Sequence, residues 1–541
     1  MNSRRGEPAD LEVEGLIFDI ALDNTVGRLI APQPVIRKIR ELVAFAPVRL
    51  PPPPAQAAIK AFFREHGRRG GDEDLYLVWH HIGDTLRKAG VVPETLTREA
   101  LEQVLRQRGC WSGWIPLMDV EGRFSAGLIE QVQRALWRTG HSSSIKDVRT
   151  PVPPGPAIGR PPPLWDFQED AVQAMLREKR GVIDLPPRSG KTRIAAALIQ
   201  RLGLPTIYIT PRRELVRQTA ASLREWLPEN AVFPIDGGAS SMSAKKKRAM
   251  RASLVWVMPP GTAAGPKSGG YGGIEGLSSR KVMFIDEFHH AAADIYLSVS
   301  RAAVNCYWRF GLTGTHFRAD GRDLVMHGVL AKSIFRREVG EMIAKGVLAP
   351  AKVAMLRIPG WAVSGREAYA QGIVRHKGRN DALASAARLL ASTGRRVLVL
   401  TKEVAHAKHL ASLIPNSWQV DGQTSTEVRS ALDALEARKI SAVVGTSVIG
   451  EGVDVPAADA LVYAAGGRSR VKVVQDFFRV LTASPGKREG IIVDGADGHS
   501  ETLVRQAAQR LAIYRSVDAF RADVVDPSHL GSWLHGVTND P

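Results

Sequence analysis

The sequence predicts an α/β fold: two tandem parallel-sheet domains preceded by a small α+β domain. Two series of short, β-branched apolar runs, separated by amphipathic segments of helical length, predict the sheets. A proline-dense stretch predicts where the first domain ends. The chain of 541 residues is longer than one hydrophobic core organises, and 44% hydrophobic against 24% charged residues is an ordinary globular balance.

Residues 1–148 are the expected N-terminal accessory domain. In 149–163, Pro151, Pro153, Pro154, Pro156, Pro161, Pro162 and Pro163 fix φ and remove donors, which predicts a semi-rigid extended linker. In 164–350 the expected strands are Gly181–Leu185, Thr206–Thr210, Leu254–Met258, Val282–Asp286 and Phe310–Thr313. In 351–515 they are Arg396–Leu400, Ala442–Thr446, Leu461–Ala464 and Ile491–Asp494. Residues 516–541 read as a C-terminal tail, and no short-period repeat suggests a solenoid.

Lys and Arg number 73 against 55 Asp and Glu, a net charge of +18 that favours a polyanion such as nucleic acid over an acidic small molecule. The two cysteines, Cys110 and Cys306, exclude a disulfide framework and a Cys-based zinc ribbon and suit a reducing cytoplasm. Arg4 and Arg5 precede no apolar stretch, and no run of about 18 uncharged apolar residues exists, so the reading is a cytoplasmic chain without a membrane partner.

The first strand of 164–350 runs into Pro186-Pro187-Arg188-Ser189-Gly190-Lys191-Thr192, placing Gly-Lys-Thr where a loop enters a helix. Such a turn is a phosphate cradle. Backbone N–H groups and the helix N-terminus hold the phosphates, Lys191 reaches the β and γ oxygens, and the Thr192 hydroxyl can ligate Mg²⁺. Leu185 stands where the pattern asks for glycine, and Arg188 occupies the crowded middle of the loop.

Ile285-Asp286-Glu287-Phe288-His289 ends a later strand with two carboxylates. Asp286 suits Mg²⁺ held through water, and Glu287 suits orienting and deprotonating the attacking water. His289 and His290 are adjacent, point in different directions and lack a third ligand, which argues against a metal. His289 reads as a coupling residue toward Thr313-Gly314-Thr315, or as a satisfied surface histidine.

Phe167-Gln168, Ser189-Gly190-Lys191-Thr192, Thr210-Pro211-Arg212, Asp286-Glu287-Phe288-His289 and Thr313-Gly314-Thr315 follow one another in the order of superfamily 2 helicase motifs, and the chain resembles that family. The resemblance implies RecA-like domains, ATP with Mg²⁺, Gln168 beside Phe167 at the adenine edge, and strand contact from Thr210, Pro211, Arg212 and Thr446. It also implies a second-domain motif, met here as Gly445-Thr446-Ser447 and Glu451-Gly452-Val453-Asp454. Gly450 and Gly452 would let backbone approach a phosphate chain, and Asp454 would take an arginine or ribose. In the last family motif Gln475 and Arg479 are kept, with Gln475 read as coupling. Phe478 replaces a glycine, and Thr482 replaces the final arginine that helps stabilise transferred-phosphate charge. Arg479, Arg468, Arg470 and Arg488 are the candidate substitutes.

Arg108-Gly109-Cys110-Trp111-Ser112-Gly113, Phe124-Ser125-Ala126-Gly127-Leu128, Trp165 to Ala171 and Gly467 to Val471 resemble UvsW-like phage helicases, which remodel forks and recombination intermediates. That resemblance implies that Arg106, Arg108 and Trp111 meet DNA; buried tryptophans are the alternative. Lys245-Lys246-Lys247-Arg248 reads as an exposed loop touching phosphates, or as a solvated charge run. The expected function is ATP-dependent translocation on duplex or branched DNA. An RNA helicase, an ATP-gated DNA clamp weakened by Thr482, and a restriction-complex translocase needing a nuclease partner are the rivals. The sequence assigns no oligomeric state.

Overall fold

The computed structural model describes residues 16–45, 115–237, 242–264, 274–287, 293–314, 323–360, 367–421, 425–446, 458–467, 473, 476–483, 487–517 and 519–536. Two compact units emerge: Met1–Ile183 with Thr192–Phe335, and Asp184–Lys191 with Arg336–Pro541.

The first unit opens with β1 (Ile17–Leu22), β2 (Val26–Ile30), β3 (Ala44–Phe45), β4 (Ile115–Pro116), β5 (Arg123–Ser125) and β6 (Ser142–Asp147). A mixed sheet of order β5-β2-β1-β6 results, with β1 antiparallel to β2 and parallel to β6. Period-2 alternation sends Phe18, Ile20, Leu29 and Phe124 to one face, where the helices Gln33–Leu42 and Ile129–Arg138 bury Ile36, Ile39, Val132 and Leu136. This is a two-layer α+β domain.

That domain packs on the rest of the first unit at Gly127. A Cβ there would stand 2.1 Å from the His327 carbonyl oxygen, so glycine alone permits the approach. Lys332 and Glu130 pair at 2.6 Å beside it, and the Asn24 amide donates to the Val304 carbonyl at 3.2 Å.

The proline-dense stretch is strapped along the same unit. Its prolines preset an extended backbone, and the residues between them keep their donors: Gly155 and Ile158 donate to the Leu202 and Gln200 carbonyls at 2.7 and 3.0 Å. Arg160 donates its backbone N–H to Trp226 at 2.9 Å and lays its guanidinium 4.8 Å from that indole.

The first large sheet comprises β7 (Arg180–Asp184), β8 (Thr206–Ile209), β9 (Val232–Pro234), β10 (Val255–Met258), β11 (Val282–Asp286), β12 (Trp308–Thr313) and β13 (Ser333–Arg336). Their order is β13-β7-β12-β11-β8-β10-β9, and the pairs β8–β10, β9–β10, β8–β11 and β11–β12 are parallel. Every residue of β8, β10 and β12 is buried, as expected where crossover helices cover both faces.

In the second unit β14 (Ala351–Ile358), β15 (Val397–Thr401), β16 (Ser417–Val420), β17 (Ala442–Thr446), β18 (Ala460–Tyr463), β19 (Gly490–Asp497) and β20 (Phe520–Val525) form a sheet of order β16-β17-β15-β18-β19-β14-β20. All its pairs run parallel. One face packs Leu383, Ala387 and Leu390 of the helix Lys377–Ser392 against Val399, Val444 and Val493. The architecture is two tandem RecA-like α/β domains behind a small α+β domain.

Every strand expected from the apolar runs is present, each within three residues of its predicted ends. The edge strands β9, β13, β16 and β20 escaped that reading because a half-exposed strand carries no continuous apolar run; β20 lies where sequence alone suggests a tail. Lys245–Arg248 requires a correction. They lie in the helix Ala244–Ala252, whose first turn is capped by the Ser243 hydroxyl accepting from the Lys246 N–H, so the run is helical rather than a loop. Among the described residues, no helix is long and apolar enough to cross a membrane.

Candidate nucleotide and nucleic-acid sites

β7 ends at Asp184 and the helix Lys191–Leu202 begins seven residues later, so the predicted phosphate loop bridges strand and helix as required. Arg188 and Gly190 take φ of 71° and 78°. Left-handed angles on either side of Ser189, itself almost wholly buried, bend the loop tightly, and the Ser189 N–H donates to the Pro186 carbonyl at 3.3 Å. Lys191 curls over the loop and donates to the Leu185 and Pro186 carbonyls at 3.2 and 3.4 Å, contacts that an incoming phosphate oxygen can replace.

The carboxylate side of the site is set by register in the first sheet. Tyr208 on β8 pairs with Phe284 on β11, their rings stacked 5.7 Å apart. Asp286 follows Phe284 by two residues and so shares its face. The length of the tyrosine carries its hydroxyl to the strand end, where it donates to Asp286 at 3.2 Å. Thr192, at the start of the helix Lys191–Leu202, also lies near this phenol. Burial, reinforced by the Asp286 charge, holds the Tyr208 pKa far above its ordinary value, so it stays a donor. Tyr208 is a site residue that sequence reading missed, because an inward tyrosine on a buried strand looks like core.

Thr192 and Asp286 thus both neighbour the Tyr208 phenol. A hydroxyl and a carboxylate are hard oxygen donors, and this donor set fits Mg²⁺. Glu287 follows at φ 43°, its N–H donating to the Leu312 carbonyl at 2.8 Å. This left-handed turn at the strand end separates the two carboxylates, as different tasks require.

Gln168 is buried, and its Oε1 accepts from the Trp165 N–H at 3.1 Å, capping the helix Asp166–Glu178. The Phe167 side chain is buried in the core, so its ring supports that helix. Thr210 requires a correction as a surface contact: it is wholly buried, and its hydroxyl donates to the Arg212 carbonyl at 3.1 Å, shaping the turn instead. Pro211 is half-buried, and Arg212 and Arg213 are exposed there. Thr446 likewise ends β17 nearly buried, and Thr313 ends β12 buried. His289, Thr315, Gln475, Gly452, Asp454, Arg106, Arg108 and Trp111 lie outside the described residues.

Arg479 sits in the short 3-10 helix Phe478–Val480, buried, with its Nε donating to Asp476 at 3.2 Å. Phe478 stacks on Phe477, their centroids 5.0 Å apart, which accounts for an aromatic where the family has glycine: the position is core here. Thr482 bridges Leu348 with its hydroxyl buried.

Upstream of that helix, buried side chains grip successive carbonyls of the turn after β18. Arg379 donates to Ala464 at 3.0 Å, Tyr369 to Ala465 at 2.9 Å and Arg510 to Gly467 at 2.9 Å. Both arginines are themselves held by carboxylates: Arg379 by Asp497 at 2.7 Å, and Arg510 by Asp494 at 2.8 Å. Burial opposes the Arg510 charge, yet Asp494 and Asp497 raise its pKa above the usual arginine value. Sequence reading missed this lattice because its members lie far apart along the chain. Cys306 is no nucleophile, since burial pushes its thiol up to about 11.

The two parallel sheets and their strand orders define the tandem RecA-like fold class. Residues 162–318 match the family described as type III restriction enzyme, res subunit. The chain is 28% identical over 193 residues to the DNA 3'-5' translocase XPB2 of Sulfurisphaera tokodaii, covering 36% of this chain and 40% of that protein. It is 26% identical over 428 residues to the ATP-dependent DNA helicase uvsW of Enterobacteria phage T4, covering 72% and 82% respectively. The fold also matches the ATP-dependent Type ISP restriction-modification enzyme LlaBIII bound to DNA, with a TM-score of 0.50 and 17% identity over 70% of this chain and 32% of that one. The chain is thus similar, over these stretches, to proteins named as DNA helicases and translocases. It spans less than half the length of the archaeal relative.

Proposed function

We propose that this chain hydrolyses ATP and couples the hydrolysis to movement on DNA. The observation that carries the reading is the hydrogen bond from Tyr208 to Asp286 near Thr192, at the end of the turn that carries Arg188 and Gly190. In this reading the backbone N–H groups of 188–191 bind the β and γ oxygens, and Lys191 exchanges its loop carbonyls for the γ-phosphate. Glu287 orients the attacking water and takes its proton. A bound Mg²⁺, held by Thr192 and Asp286, would neutralise phosphate charge. Gln168 is positioned near the purine by its helix cap, and Arg479 supplies positive charge to the phosphates.

Relatives named as DNA helicases and translocases support DNA as the track, as does the basic balance of the chain. Arg212, at the turn after β8, and the cationic helix Ala244–Ala252 offer contacts to phosphate without reading sequence. Forked or branched DNA is the preferred substrate in this proposal, carried over from the sequence resemblance to UvsW-like phage helicases.

The test is steady-state ATPase activity of the parent and of Lys191→Ala with duplex DNA, forked DNA and structured RNA at several salt concentrations. Parent activity rises most with forked DNA, Lys191→Ala abolishes it, and the DNA dependence weakens steeply with salt. Lys191→Ala turning over at the parent rate refutes the assignment, and stimulation by RNA alone replaces DNA with RNA.

A further inference from the structure

Resting on that nucleotide reading, we propose that Arg188 is itself a catalytic residue: from within the phosphate loop its guanidinium contacts the terminal phosphate and neutralises the charge that grows there during hydrolysis.

The loop puts Arg188 in a costly place. Its φ of 71° lies in the left-handed region, where a residue with a Cβ is strained and glycine is not. Among the described residues five other non-glycine residues share a positive φ. Strain kept at a functional loop calls for a side chain whose chemistry glycine lacks.

The surroundings sharpen the point. The loop segment Asp184–Lys191 clusters with the second unit, which also carries Arg479 and Lys487. Burial, and then the like charge of Arg479, lower the Arg188 pKa to about 10. Burial lowers Lys487 to about 8, and Arg188 contributes to that shift. Guanidiniums that repel one another across a part-buried loop gain most when an anion enters between them, and the anion this loop is shaped for is a phosphate chain.

The step is in-line hydrolysis. The water oxygen bonds to the γ-phosphorus, the bond from that phosphorus to the β–γ bridging oxygen breaks, and the water proton passes to Glu287; the products are ADP and inorganic phosphate. Arg188 gives two N–H donors to equatorial oxygens whose charge is larger in the transition state than in ATP. It thereby does from inside the loop what Thr482, buried and uncharged in its bridge to Leu348, does not.

The experiment compares the parent, Arg188→Gly and Arg188→Lys for forked-DNA-stimulated kcat, for affinity toward ADP and a non-hydrolysable ATP analogue, and for melting temperature. Glycine suits the backbone angle, so Arg188→Gly melts no lower than the parent. Its kcat falls about 100-fold or more while nucleotide affinity stays within about threefold, and Arg188→Lys, a charge without the fork, recovers part of the loss. A kcat for Arg188→Gly within about threefold of the parent overturns the proposal, as does an affinity loss equal to the kcat loss. A folded parent with no DNA-stimulated ATPase removes the nucleotide reading itself, and this inference with it.

Discussion

Tyr208 donates to the Asp286 carboxylate across neighbouring parallel strands, at 3.2 Å, and Thr192 lies near the same phenol. In the proposed Mg²⁺ site the phenol would orient the Asp286 carboxylate. Tyr208→Phe keeps the ring stack with Phe284 and removes only the hydroxyl. The expected stability cost is about 1 kcal/mol, with a raised Mg²⁺ requirement for ATPase activity. A Mg²⁺ titration identical to that of the parent would show that the phenol does not organise the site.

Glu287→Gln separates binding from chemistry. The amide fills the same space at the same left-handed turn but cannot accept the water proton. ATP affinity is expected to hold while kcat drops by about 10² or more. Single-turnover hydrolysis with equilibrium nucleotide binding measures both; unchanged turnover excludes Glu287 as the base.

Arg510→Met tests the lattice behind the turn after β18. Arg510 makes hydrogen bonds to both Asp494 oxygens, at 2.8 and 3.1 Å, and all these groups are buried. Removing the cation leaves Asp494 uncompensated, at an expected cost of about 3 to 5 kcal/mol. Urea denaturation followed by a second-unit tryptophan such as Trp533 reads the loss, and a change below about 1 kcal/mol shows the lattice to be dispensable.

The second unit should also be acid-sensitive. Burial, and then the charge of Arg379, lower the His406 pKa to about 3; His376 and His499 are lowered too, with burial the main cause in each. Their folded pKa values lie below the unfolded value near 6.5, so the unfolded chain binds more protons once pH falls under that value. Stability is full above about pH 6.5 and declines below it, by about 1.4 kcal/mol at pH 5.5 for His406 alone. His406→Gln, which can still donate to Asn380, flattens that part of the decline in denaturation midpoints measured between pH 7.5 and 5.5. An unaltered slope rules out His406 as its source.

The sequence by itself determined the two parallel sheets and the strand-to-helix turn at Ser189-Gly190-Lys191-Thr192, since buried strands are continuous apolar runs and such a turn is local backbone. Asp286 was legible as a strand end for the same reason, with Glu287 directly after it. Only the tertiary structure decided what depends on strands and helices meeting: that Tyr208 donates to Asp286, that Arg379 and Arg510 grip one turn from elements over a hundred residues apart, and that Phe478 is core. It also withdrew Thr210 from the surface and turned Lys245–Arg248 into a helix, because burial and capping arise from neighbours that a residue's own spacing does not reveal.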